Sequence, residues 1–518
     1  MGDEAAGKPP VVILREETNV TSGTAVQEKL IAAARVFADL LRPTYGPRGL
    51  DKMLYKTDGT TAVTNDGAKI VAELMVKHPA AKMFVAMAES QENSCGDGVT
   101  GTLLLSAELL IEAGRLLQKG LHPLTVIEGY NQANAIAQET ISSQEVACTA
   151  KTLQEVALTS LTGKGAEGAA PILSKIIVQA LETVDGDADS ITMHKTNIGS
   201  LSDSKLLNGI VVRRRVLLDS LPSKIENAKV ATINGDIAPR KQIRDAEIEI
   251  EEAAQLDAFL AAEEATRDTL TETLLASGAN VFLCSGVVDK GLLHRLMRSD
   301  CFVAGEFDDR ELRNASLATG SRIIEHLADI SAEDIGQAGR MVSERRAATE
   351  QVEDMIRLEK CPEPKVVTCE VGGANNLAAE EAIRAIHDSL RSTGLAMRTE
   401  RLIHGGGAVH MACALAIRDA AEHVAGRNRL AMEAFARALE IIPTTLALNA
   451  GTDALDRILE LRAAHRNGKS SAGITADGKV GPTGAKEAAT CLESAFYSAT
   501  ETCASMLRID QVVSARGD

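Results

Sequence analysis

Tryptophan is absent, and phenylalanine and tyrosine are so sparse that aromatics make up 2% of the 518 residues. A surface that grips bases by stacking needs several rings together, so that class of binder is excluded. Positive charge is also short. Lys+Arg number 55 against 72 Asp+Glu, leaving a net charge of −17. Neutralising a nucleic-acid backbone takes a basic face, so no nucleic-acid partner is expected. Proteins, or anions held in local pockets, remain. The nine cysteines are an odd number without CxxC or CxxH spacing. They read as reduced thiols of a cytoplasmic chain, not a disulfide framework or a zinc site. No hydrophobic run reaches the roughly 18 residues that span a bilayer. The opening MGDEAAGKPP lacks the layout of a signal peptide. Neither membrane insertion nor secretion is expected.

What is there is an ordinary globular mixture, 45% hydrophobic and 25% charged. The length suggests about three to four domains. After a polar tail, VVIL (11–14) reads as an edge strand. Apolar residues from Val26 to Leu41 then recur at helical spacing. RPTYGPRG breaks that helix with two prolines and two glycines. The short pieces DKMLY and TAVT look like strands. Helices are expected over Ala68 to about Glu92, Leu103–Leu117 and Leu124–Ile141. Near residue 195 the character changes. Strand-like runs (GIVVRRRVLL, AKVATI, ANVFLC, CFVAGEF) alternate with helical stretches at about 251–277 and 289–299, an α/β pattern with a mixed or parallel sheet. The acidic stretch 247–264 reads as a solvated helix face. From residue 380 the pattern is helical again, over Ala379–Thr393, Ala408–His423, Asn428–Leu439 and Leu455–Ala464. A loop at 467–486 precedes a last helix, Glu487–Leu507. A domain split between the chain ends, with another inserted, explains this order.

Five short constellations carry chemistry. Gly96-Asp97-Gly98-Val99-Thr100-Gly101-Thr102 stands directly before a helix. Glycines let backbone N–H groups approach an anion, and the helix N-terminus adds free donors. A carboxylate beside phosphates is placed to hold Mg²⁺. No Lys-Ser/Thr pair closes the loop, so it is not the Walker pattern. Tyr45-Gly46-Pro47-Arg48-Gly49 makes a rigid turn with open donors. Thr64-Asn65-Asp66-Gly67 exposes a carboxylate on a turn. Gly405-Gly406-Gly407 opens a helix and lets a ligand lie against backbone. Asp388 sits near the edge of an apolar helix face. Alone, each also fits a plain turn, cap, hinge or surface acid.

Their order is specific. LRPTYGPRGLDKML, TNDGAKI, HPAAKM, GDGVTGTLLLSAELL and HPLTVIEGY resemble the equatorial region of the group II chaperonins, the archaeal thermosome and eukaryotic cytosolic type. LTSLTGKGAE, SGANVF, ATGSRII, AIRAIHDSL, HGGGAV, the long EAFARALEIIPTTLALNAGTDALDRILELRAAH and SATETCASMLRID continue the likeness to about residue 513. The resemblance implies an α+β multidomain chaperonin fold. Its helical equatorial domain is split between 1–146 and 405–518. An α/β intermediate domain is split between 147–215 and 367–404. An α/β apical domain covers 216–366, with a helical lid protrusion near 245–277.

The resemblance also implies an ATPase that binds ATP/ADP and Mg²⁺. Asp97 matches the family's Mg²⁺-holding acid. Gly96 and Gly98 through Thr102, that is Val99, Thr100, Gly101 and Thr102, match its phosphate loop. Thr44, Gly46 and Pro47 match the second phosphate loop. Lys164 matches the loop that senses the terminal phosphate. Gly406, Gly407 and Glu487 match nucleoside contacts. Asp66 and Asp388 match the two acids that orient the attacking water. Implied partners are non-native proteins and the same or paralogous subunits, in a double ring of eight or nine per ring, in the cytoplasm.

This sequence departs from the family in places. Val99 and Gly101 each lack a hydroxyl, which predicts fewer side-chain contacts to phosphate. His410 stands where an acid commonly follows the glycines, and Ala488 where a proline follows Glu487. These departures suggest a divergent subunit. They motivate the alternative of a ring subunit, structural or holdase, that binds ATP and hydrolyses it weakly.

Overall fold

The structure is a computed structural model that describes residues 19–55, 61–73, 79–196, 199–239, 253–347, 352–373 and 376–514. The VVIL strand expectation and the start of the expected protrusion lie outside these residues. The chain forms two compact units, Met1–Glu167 with Arg391–Asp518, and Gly168–Leu390.

The first unit is helical and draws on both chain ends. Its centre is the helix Val99–Gln118, fourteen of whose twenty residues are buried. Leu103, Leu104 and Leu105 are consecutive and all buried, so this helix has no solvent face to spare near its start. The helix Thr24–Leu41 lays Val26, Leu30, Ala34, Phe37, Ala38 and Leu41 into the same core. A Cβ on Gly114 would stand 2.5 Å from Ile31 Cδ1, so the two helices meet closely there. From the distal end of the chain come Ala408–Ala421, Asn428–Leu439 and Ala489–Leu507, with Pro123–Ser143 from the near end. The Tyr130 and Phe435 rings pack edge to face at 5.5 Å, and the Tyr130 hydroxyl donates to the Leu109 carbonyl at 2.8 Å. Glu112 is buried in this core and is held by Arg115 and by Arg437 Nε at 2.8 Å. At the edge, Asn19–Ser22 pairs antiparallel with Gln511–Ser514.

Some expectations shift. The helix expected over 68–92 is two helices, Gly67–Glu73 and Pro79–Cys95, the second starting on a proline whose missing N–H costs nothing there. The loop expected at 467–486 holds short strands, Ala472–Ile474 pairing Val480–Pro482, while Lys486–Ala488 pairs Leu402–His404. Their pairings span too few residues to leave a period. The helix Ile441–Asn449 carries Pro443 in its first turn, where proline is tolerated. Of GIVVRRRVLL, only Ile210–Arg213 is strand.

The second unit holds a mixed sheet. Its order runs Ile210–Arg213, Val352–Glu359, Gly336–Ala347, Lys224–Ile233, Val281–Cys284 and Phe302–Ala304, with Ile323–Ile324 beside Lys224–Ile233. The last pairings are parallel and the first antiparallel. Every residue of Val281–Cys284 is buried, as suits a central parallel strand covered on both faces. A smaller sheet orders Ile191–Lys195, Val367–Val371 and Lys205–Leu207. The helix Ala253–Ala276 is fixed at its C-terminal end by buried Leu274 and by Arg267–Asp289 and Arg295–Asp268 ion pairs. Toward its start Leu256, Phe259 and Leu260 are exposed.

Glu440 ties three C-terminal helices of the first unit together. It accepts from Arg418 Nη1 at 2.6 Å and from Arg462 Nε at 2.7 Å. Burial pushes its carboxyl up, but the Arg462 and Arg418 bonds outweigh that and hold it below its ordinary 4.5. A depressed carboxyl stabilises the fold above its ordinary value and loses that contribution as pH falls through the lower one. Glu440→Ala should therefore cost about 2–3 kcal/mol near neutral pH, since both arginines keep some water. The deficit should shrink in acid below the ordinary carboxylate range. Denaturant unfolding of both proteins at several pH values checks this; a deficit independent of pH would contradict it.

Candidate functional site

The helix Val99–Gln118 begins where its first turn meets the turn at 66–67 and the Tyr45 side chain, and where Asp97 reaches the helix Ala150–Leu161. Gly98 precedes it at φ 82°, a left-handed conformation that glycine takes without penalty. Asp97 folds back onto this turn. Its Oδ1 accepts the Gly98 N–H at 2.8 Å, and its Oδ2 accepts the Ser160 hydroxyl at 2.7 Å. Ser160 lies in the last turn of the helix Ala150–Leu161. That helix ends in Thr162-Gly163-Lys164.

Gly163 has φ 78°, and a Cβ on it would stand 2.6 Å from the Gly46 carbonyl oxygen and 3.1 Å from Pro47 Cα. The 163 turn thus rests on the 46–47 turn. Asn65 Nδ2 donates to the Gly163 carbonyl, which brings in the turn before Asp66. Asp66 caps its own short helix, with Oδ1 accepting the Ala68 N–H at 2.9 Å. Next to it, a Cβ on Gly67 would lie 2.3 Å from Thr100 Oγ1, so the Asp66 turn sits against the first turn of the central helix. The 46–49 turn is braced from behind by Asn449 Nδ2, which donates to the Arg42 and Tyr45 carbonyls at 2.8 Å each.

The third glycine turn closes the set. Gly407, at φ 78°, precedes the helix Ala408–Ala421. The Gly406 carbonyl accepts Ile474 N–H at 2.8 Å. A Cβ on Gly405 would stand 2.7 Å from Glu487 Oε1. Glu487 therefore lies against the 405–407 turn. Burial, with the Asp97 charge adding to it, pushes the Glu487 carboxyl up to about 7. The Tyr45 phenol is pushed up by burial and by the Glu487 and Asp97 charges. These two shifts place Asp97, Glu487 and Tyr45 within electrostatic reach of one another.

The residues singled out in sequence are thus distributed unequally. Gly46, Pro47, Asp66, Gly96, Asp97, Gly98, Thr100, Gly101, Gly406, Gly407 and Glu487 belong to this cluster of turns. Lys164 is half-buried beside Gly163. The Thr44 hydroxyl is turned away, donating to the Leu41 carbonyl at 2.7 Å. Thr102 Oγ1 donates back to the Gly98 carbonyl at 2.9 Å and is buried. Val99 is 4% exposed and belongs to the hydrophobic core. A hydroxyl there would bear on packing, not on a ligand. His410 is likewise a core residue, its ring edge on Phe496 at 5.3 Å and its pKa pushed by burial down to about 3. Asp388 lies in the second unit, on the helix Asn376–Thr399. That helix continues into the first unit, where Arg391 Nη2 donates to the Asn93 carbonyl at 2.8 Å and packs against Gly96. Ser160 and Asn449 escaped the sequence reading, while Tyr45 and Asn65 entered it only as members of their turns. Ser160 and Asn449 carry no local signal, since each acts across dozens to hundreds of residues.

Chemically, the arrangement offers backbone donors and a helix N-terminus for an anion, together with carboxylates for a cation. Among the described residues no group of three or more His, Cys, Asp or Glu side chains is arranged to hold a metal ion. No described helix is long and apolar enough to cross a membrane.

Comparison with known proteins bears on this site. The TCP-1/cpn60 chaperonin family profile matches residues 37–517. The thermosome subunit beta of Methanothermobacter thermautotrophicus is 36% identical over 519 residues, covering 99% of this chain and 96% of that protein. A thermosome subunit of Methanopyrus kandleri is 38% identical over 523 residues, covering 98% and 95%. The thermosome subunit alpha of Archaeoglobus fulgidus is 36% identical over 523 residues, with 98% and 95% covered.

The contact of the 163 and 46 turns can be tested without any ligand. Gly163→Ala adds a Cβ at positive φ against a backbone oxygen and should lower stability by about 1–3 kcal/mol. Gly168→Ala, whose Cβ would meet nothing within 4 Å, should be neutral or slightly stabilising. Equal unfolding midpoints for the two variants would remove the contact from the description.

Proposed function

This chain belongs to the TCP-1/cpn60 chaperonin family, and from that premise we propose how its own residues carry the work. It is an ATP-dependent chaperonin subunit, and it hydrolyses ATP. We assign ATP and ADP to the cluster of turns in the first unit. The observation that carries this assignment is the meeting of the turns at 46–47, 66–67, 97–101 and 163 around one helix start, with the 405–407 turn joined to them through Glu487, which feels the Asp97 charge. In this reading the 96–101 backbone and the 46–47 turn cradle the phosphates, with Lys164 nearby. Gly406, Gly407 and Glu487 stand at the nucleoside end.

Mg²⁺ fits the donor set. Each Asp97 oxygen spends one lone pair on the protein and keeps another, and the crowding that raises Glu487 would be relieved by a cation. With no protein cage of three ligands among the described residues, such an ion would complete its shell with phosphate oxygens and water, the usual habit of Mg²⁺ at nucleotides. When bound it supplies charge neutralisation at the phosphates. The remaining work is positioning. Asp66 orients the attacking water and receives its proton, and Asp388 is the second acid that orients that water once the subunit closes.

The weakly hydrolysing alternative rested on Val99 and Gly101, and the core position of Val99 takes away half of that motive. Finer features are also proposals. The chain divides into equatorial (1–146, 405–518), intermediate (147–215, 367–404) and apical (216–366) domains. The helix Ala253–Ala276, with exposed Leu256, Phe259 and Leu260, belongs to a lid. Same or paralogous subunits form a double ring of eight or nine per ring that encloses non-native proteins in the cytoplasm.

Steady-state turnover of the assembled protein with ATP and Mg²⁺ should fall at least about 100-fold in Asp66→Ala and in Asp388→Ala. Near-parent turnover in either variant would remove that residue from the catalytic pair. Recovery of a chemically unfolded test enzyme should require ATP in the parent and fail in Asp388→Ala. Recovery that proceeds equally without nucleotide would instead favour a holdase.

A further inference from the structure

Tyr45 brings a hydroxyl that has no hydrogen-bond partner among the described residues. Its backbone is fully engaged: the N–H donates to the Arg42 carbonyl at 3.3 Å, and the carbonyl accepts from Asn449 at 2.8 Å. The side chain is half-buried and lies against the first turn of the central helix. A Cβ built on Gly101 would stand 3.4 Å from the phenol oxygen and 3.5 Å from Cε2. That is ordinary contact, so the backbone does not demand glycine at 101. A branched or longer residue there, however, would run into the ring. The Tyr45 ring occupies the space into which a residue-101 side chain would reach. Its hydroxyl lies within electrostatic reach of Asp97 and Glu487, and neither carboxylate takes its proton. The half-buried hydroxyl is thus free to bond a ligand, and it lies beside the first turn of the central helix, at Gly101.

We propose that Tyr45 contacts the nucleotide, donating its hydroxyl to a phosphate oxygen from the 42–49 turn and so replacing the hydroxyl that Gly101 does not carry. The proposal rests on the assignment of ATP to this cluster of turns. It makes the Tyr45–Gly101 pair one unit: the large residue on one turn requires the small one on the other. It also supplies a neutral donor in a site already crowded with carboxylates, where the phosphate chain most needs one. The departure at Gly101 then relocates a phosphate contact and does not delete it.

The test is nucleotide affinity of the assembled protein by calorimetry, with ATP and ADP in the presence of Mg²⁺. Tyr45→Phe keeps the ring and removes only the hydroxyl. It should bind ATP about tenfold more weakly, with the unfolding midpoint of the nucleotide-free protein unchanged. Adding Gly101→Ser to Tyr45→Phe should recover most of that affinity, because the lost phenol oxygen leaves room for a serine Oγ. If Asp97→Ala weakens ATP but Tyr45→Phe stays within twofold of the parent, the role of Tyr45 is refuted and the nucleotide assignment stands. If the parent binds neither nucleotide, the assignment itself falls. A Tyr45→Phe defect that lowers the nucleotide-free midpoint and is not rescued by Gly101→Ser would make the hydroxyl structural and overturn the proposal.

Discussion

The helix Val99–Gln118 must be buried along almost its whole length and yet begin with free backbone donors among glycine turns. Both demands fall on the same few residues. Leu103, Leu104 and Leu105 need protein on every side, so helices from both chain ends are drawn around them. The four free N–H groups of the helix start cannot be treated that way, because no carbonyl precedes them. They are left to a turn of glycines, to Asp97, and to whatever binds there. The unusual course of the chain, out into a second unit and back, follows from this one helix. Its packing partners Asn428–Leu439, Ile441–Asn449 and Ala489–Leu507 arrive only after the inserted segment.

Electrostatics set the second constraint. Asp97 and Glu487 come from opposite ends of the chain, and the Glu487 carboxyl is raised first by burial and then by the Asp97 charge. A fold would not keep that arrangement for stability alone, since an apolar pair would pack at less expense. Elsewhere the same unit pairs its buried acids fully: Glu440 has two arginines and Glu112 has two. The contrast separates acids that hold the unit together from acids left with unspent charge. The second kind sits at the glycine turns.

Much of this was legible in sequence, for reasons that differ by residue. The helices Thr24–Leu41 and Asn428–Leu439 show because each buries one clean stripe. The glycine turns show because positive φ restricts the residues allowed. Ordered together, these turns carried the family resemblance. What stayed hidden depends on distance along the chain. Nothing near Ser160 indicates that its hydroxyl meets Asp97, 63 residues away, nor near Asn449 that it braces the turn at 42–45, some four hundred residues away. Short strands such as Ala472–Ile474 pair over too few residues to leave a period. For Val99 the linear motif does not say which side of the helix faces the core. Its neighbour Thr100 meets Gly67, while Val99 packs inward.

Position 101 shows why a motif cannot be scored one residue at a time. Judged within its own loop, glycine at 101 is a lost hydroxyl. Judged in space, it is the clearance that a tyrosine from another turn requires, 56 positions earlier in the sequence. A small residue at 101 and a large one at 45 share the same space. The chain can then exchange the origin of a contact without changing the backbone that surrounds it. Asn449 holds the Tyr45 carbonyl and with it the backbone of the turn that carries the ring. A brace from one helix thereby steadies the turn whose ring packs beside the start of the helix on which the unit is built.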